Sequence, residues 1–115
     1  MAGGHANRRR GEVEAVIDGD RRILCLTLGA LAELETAFSV SDLNGLADRF
    51  SSGRLRAADM IRLIGAGLRG GGNLLSDDEV AGMSIEGGIL GYARIVGDLL
   101  TATFGAPGGE AAANP

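Results

Sequence analysis

The sequence predicts an α+β fold, an N-terminal two-stranded hairpin followed by a compact bundle of about four to five helices. Apolar and charged residues alternate from Glu12 to Asp18, the period of a strand with one buried face. Beyond Thr27 the apolar residues recur every three or four positions, the period of helices packed on one side. A chain of 115 residues with 45% hydrophobic content has material for one core and not for two. The expected division is a mobile N-terminal arm over residues 1–10, a single domain over 11–105 and a disordered tail over 106–115.

In the first strand Val13, Ala15 and Ile17 share a face opposite Glu12 and Glu14. Asp18, Gly19 and Asp20 supply turn chemistry, because Gly accepts positive φ and Asp bonds to nearby backbone. The second strand runs through Ile23, Leu24, Cys25 and Leu26, with Leu24, Leu26 and Leu28 as the inward candidates. Such a hairpin is marginal alone and needs helices packed against it. Thr27 can cap a first helix reaching Phe38, with Leu31, Leu34 and Phe38 as its apolar stripe. A short second segment follows Ser41, with Leu43, Leu46, Ala47 and Phe50 at helical spacing, and ends at Ser51, Ser52 and Gly53.

The third helix is expected over 57–68, where Ala57, Met60, Ile61, Ile64 and Leu68 fall on one side and Arg62 and Arg69 away from it. Three glycines, 70–72, stop it. Ser76 and Glu79 have the spacing of a capping box, flanked by Leu75 and Val80 in the positions of a hydrophobic staple, and open a short helix ending near Met83. A final helix is expected over 86–104, its strongest face formed by Ile85, Ile89, Tyr92, Val96, Leu99, Leu100 and Thr103, with Leu90 and Ile95 beside it. Its four glycines, 87, 88, 91 and 97, each lower helicity by roughly 1 kcal/mol relative to Ala, so tertiary contact must hold it.

Fifteen acidic residues face eleven basic ones, for a net charge of −4. Non-specific binding of nucleic acid, which needs a positive surface, is not favoured. The run Arg8, Arg9, Arg10 is the strongest candidate for a cationic patch, and reads as a solvated or partner-facing flank. No stretch approaches the ~20 apolar residues that cross a bilayer, and no secretion signal is recognisable. With Cys25 as the sole cysteine, a reducing compartment fits. The expectation is therefore a cytoplasmic protein.

No catalytic constellation assembles. His5, the only histidine, sits in the expected arm, where nothing holds it within reach of a substrate. Cys25 has no core histidine to form a nucleophilic pair and reads as a small packed thiol. The acidic groups at 18–20 and 77–79 lack the staggered ligands of a calcium loop and suit a turn and a helix N-terminus. Gly65, Gly67 and Gly70 have the spacing of a dinucleotide fingerprint, but lie at the end of a helix instead of before one. No enzyme activity, cofactor, metal or small-molecule substrate is expected. Leu43, Leu46 and Phe50 form a candidate surface stripe for a protein partner, with core packing as the competing assignment. Arg62 and Arg69 are the charges that would border it.

Several stretches taken in order, NRRRGEVEAVIDG (7–19), LCLTLGALAELETAF (24–38), FSSGRL (50–55), GAGLRGGG (65–72), LSDDEVAGM (75–83) and GGILGYARIVGDLLTATFG (87–105), resemble a known family. It comprises the small tail proteins of gene transfer agents and prophages, grouped with phage tail assembly chaperones. The resemblance implies a helper that binds the tape-measure protein or the major tail protein and masks apolar helical segments until they assemble. The alternative is a structural tail-tube or tail-associated subunit retained in the mature particle. A tube subunit needs extensive sheet, and the single expected hairpin favours the helper. The family supplies no catalytic residues to carry over.

Overall fold

A computed structural model describes residues 11–38 and 45–105. The expected arm at 1–10, the tail at 106–115 and Leu43 lie outside those residues. Two strands, β1 (Glu12–Ile17) and β2 (Asp20–Cys25), pair antiparallel with Val13 opposite Leu24 and Ile17 opposite Asp20. Asp18 and Gly19 turn the chain with φ of 52° and 82°, the doubly positive pattern whose twist matches that of a hairpin. Asp18 also reaches across the fold: its amide donates to the Ser84 carbonyl at 2.7 Å, and its carboxylate accepts from the Ser84 amide at 2.8 Å. A bridge between Ile17 and Ile85 adds a short third segment to the β1 edge.

Five helices follow among the described residues: α1 (Leu28–Ala37), α2 (Leu46–Ser51), α3 (Ala57–Gly70), α4 (Asp77–Ala81) and α5 (Gly88–Phe104). Thr27 caps α1 by accepting from the Ala30 amide at 3.1 Å. The capping box at α4 closes in both directions, with the Glu79 amide on Ser76 Oγ at 3.1 Å and the Ser76 amide on Glu79 Oε1 at 2.8 Å. Val80 is buried beneath it and Leu75 packs against the core, as the staple requires.

The central element is α3, which touches β2, α1, α4 and α5. Six consecutive residues, Leu63 to Leu68, are buried, so over that stretch the helix is enclosed on every side. Its glycines make that possible. A side chain at Gly67 would meet Leu99 and Leu24 at 3.0 and 3.4 Å, and one at Gly65 would collide with the Asp77 carboxylate. The helix runs two residues past the expected stop, to Gly70. There Gly70 and Gly71 lie directly against the Cys25 and Ile23 carbonyl groups, too close for any Cβ. Asn73 seals the same edge, donating to the Ile23 carbonyl at 2.9 Å and to the Leu68 carbonyl at 3.1 Å.

Three core expectations need correction. Leu28 does not share the inward face of β2; it opens α1 and is exposed, because the strand ends at Cys25 and the chain turns at Thr27. Cys25 is half-buried, not a core thiol, since its place opposite Glu12 puts it on the outer face of the hairpin. The buried face of α5 is Gly91, Ile95, Val96, Leu99 and Leu100, which leaves Ile89 and Leu90 outside. Gly91 turns that face inward, with its Cα so near the Glu86 carbonyl that no side chain would fit.

Candidate functional site

Ile89 and Leu90 are the starting point, at 78% and 81% exposure on the first turn of α5. Beside them the N-terminal half of α3 contributes Ala57, Met60 and Ile61, and the second turn of α5 contributes Tyr92. Together with Ile89 these side chains line an apolar groove of about 230 Å³. Tyr92 keeps its ring in the wall by donating its hydroxyl to the Met83 carbonyl at 3.1 Å, so the polar end is satisfied and the apolar face is presented. Exposed aliphatic side chains beside a concave apolar surface suit a protein partner's side chain, and the groove offers little to orient a small polar substrate.

Of the two assignments for the stripe on α2, core packing is the one found at Leu46 and Phe50. Leu46 is fully buried in the core, because α2 lays its Leu46 side inward against α5. Phe50 is half-buried and packs on Gly97, where an added Cβ would stand 3.1 Å from its ring. Arg49 covers the ring of Phe38, with 5.9 Å from the guanidinium carbon to the centroid, and its Nη2 reaches Asp59 Oδ2 at 3.2 Å. That pairing explains how Asp59, the one charged residue buried among the described residues, is accommodated.

The two candidate arginines separate. Arg62 is exposed, on the wall of a polar cleft between α1 and α3. Arg69 is not a free rim charge but a clamp. Its Nε and Nη2 donate to Glu33 Oε1 at 3.0 and 2.7 Å, its Nη1 to the Leu75 carbonyl at 2.7 Å, and Asp77 Oδ1 lies 3.1 Å from Nη2. The Glu33 hydrogen bonds, opposed by partial burial and helped by Asp77, raise its pKa above the ordinary arginine value. A raised basic pKa adds stability that is present at every lower pH and lost only in the strongly alkaline range, so the clamp holds throughout the neutral window.

Among the described residues no group of three His, Cys, Asp or Glu side chains is placed to hold a metal ion, and no helix is long and apolar enough to cross a membrane. A family model described as "Phage tail tube protein, GTA-gp10" matches residues 10–106. The chain belongs to that family. The match spans the hairpin, all five helices and the groove, so the tail-tube family signature and the described fold are one and the same unit. Comparison with curated proteins and with solved structures returned no match.

Sequence reasoning did not single out the groove of this tail-protein family member. It assigned Ile89 and Tyr92 to the core face of the last helix. Periodicity marks Leu90 alone as outside, since it lies across the helix from the buried face, whereas Ile89 falls on the same side as Val96 and Leu100 and is left outside at the first turn of α5.

Proposed function

We propose that this chain is a structural component of a phage-type tail that docks to neighbouring tail proteins, the major tail protein foremost, through the apolar groove between α3 and α5. The observation that carries this reading is the match of residues 10–106 to the tail tube family. The groove supports it, an apolar concavity with exposed Ile89 and Leu90 at its edge. We propose no enzymatic role, since the apolar lining suits attachment. The chain then resides in the mature tail particle.

The second reading is a tail assembly chaperone acting in the cytoplasm on the tape-measure protein. What favours it is the sheet, which has two strands and one added bridge, far short of a wall that closes into a tube. Its groove would take apolar positions of a tape-measure helix in the helix-in-groove mode. Quantifying this polypeptide in purified tail particles separates the two. The structural reading expects it in fixed proportion to the major tail protein. Near absence from mature tails, with recovery of the tape-measure protein on affinity capture from assembling cells, would replace it by the chaperone.

A further inference from the structure

The short helix α2 depends on the rest of the fold more than the fold depends on α2. Six residues are far below the length at which a helix stands alone in water, and no side chain caps its start at Gly45. Among the described residues its main holds are three side chains. Leu46 is fully buried, Phe50 lays its ring on Gly97, and Arg49 covers Phe38 and reaches Asp59 Oδ2 at 3.2 Å. The fit to α5 is incomplete, because a cleft of about 160 Å³ lies between Ala47, Phe50 and Ser51 on one side and Gly97, Leu100 and Thr101 on the other. The hairpin, α1, α3, α4 and α5 meanwhile pack directly on one another, with α3 in the middle.

Two further features ease a departure of α2. It passes into Ser52, Gly53 and Arg54, all exposed, and Gly53 has a φ of 74° with no atom crowding it, which suits a hinge. Breaking the ion pair of a buried acid is costly when the charge is left without water. Among the described residues the only cation on Asp59 is Arg49, so the space that opens beside the carboxylate as α2 leaves is filled by water. Asp59 Oδ2 also keeps the Arg56 amide, 3.2 Å away at the start of its own helix.

We propose that α2 is a releasable cover, which swings out as one unit while the hairpin and the other four helices stay folded. The closed state withholds the Leu100 side of α5 and the ring of Phe38, and the open state presents them. The groove between α3 and α5 is lined by other residues, so the two surfaces are separate.

Hydrogen exchange of the full chain in rising, sub-denaturing urea tests this. The amides of Arg49, Ser52 and Arg54 donate to the Gly45, Asp48 and Arg49 carbonyls and report on α2. They should share one protection factor within about threefold, exchange at least about a hundredfold faster than the amides of Leu63 to Leu68, and depend far less on urea. Gly97→Ala sets a Cβ 3.1 Å from the Phe50 ring. It should lower all three protection factors together by roughly tenfold and leave the α3 amides unchanged. Phe50→Leu, which alters the same contact from the other side, should do likewise. Exchange of α2 at the rate and urea slope of α3 overturns the proposal, since α2 then opens only with the whole molecule. Protection graded from Arg49 to Arg54 also overturns it, as fraying from one end, and so do variants that leave the three amides unchanged.

Discussion

Gly71 and Gly29 are the same residue type under opposite constraints. Neither has a positive φ, so conformational freedom is not what either supplies. A Cβ on Gly71 would strike the Ile23 carbonyl, a backbone group held in the hairpin that cannot step aside, whereas one on Gly29 meets nothing nearer than the Thr27 hydroxyl at 3.9 Å. Gly71→Ala is therefore expected to cost about 2–3 kcal/mol by overpacking. Gly29→Ala should be neutral or stabilising by about 0.5 kcal/mol through helix propensity. Urea unfolding of the two variants measures the contrast, and equal costs would show that Gly71 is not the closest point between α3 and the sheet. The sequence marks a glycine run as a stop signal, and the chain does stop there. It does not reveal that Gly70 and Gly71 are also the seat of β2, since the contact joins residues nearly fifty positions apart. Arg69 was hidden for the same reason: its partners Glu33 and Asp77 come from two other segments.

At the scale of single elements, local chemistry was legible and facing was not. The capping box opening α4 and the Thr27 cap of α1 are written within four residues, and both form. Ser76→Ala removes the acceptor for the Glu79 amide and should cost about 1 kcal/mol. Because α4 has only five residues, the loss should appear first as faster hydrogen exchange at Glu79 and Val80, ahead of any change in the midpoint of global unfolding. Unchanged exchange at both amides would mean that burial of Val80 alone holds the turn. On α5 the expected face holds at Ile95, Val96, Leu99 and Leu100 and fails at the first turn, where Ile89 and Leu90 stand outside and Gly91, which has no side chain to count in a periodic reading, enters the core. α2 shows the converse: Leu46 and Phe50 have the spacing of a stripe, and α5 covers them.

For the molecule as a whole, the order of a hairpin and then helices was legible because each period is local. How far the hairpin is embedded was not. Residues from both ends of the sequence close one layer: Asp18 is tied to Ser84, and β1 lies against α5. The groove emerges only from that arrangement, since its α3 and α5 walls are some thirty residues apart in sequence. Membership of the tail tube family ties this hairpin-and-helix domain to a phage-type tail.

Gly11 beside Ala102 has a further consequence, for the way the backbone could be rewired. The described chain enters and leaves the fold within about a turn of α5 of the same point, and a turn is roughly 5 Å. A short Gly/Ser bridge can therefore join residue 105 to residue 11 without crossing any element. New ends can be opened at Gly53, where φ is 74° and no atom crowds the backbone. Such a circular permutant keeps every strand and helix pairing and should fold with an unchanged circular dichroism spectrum.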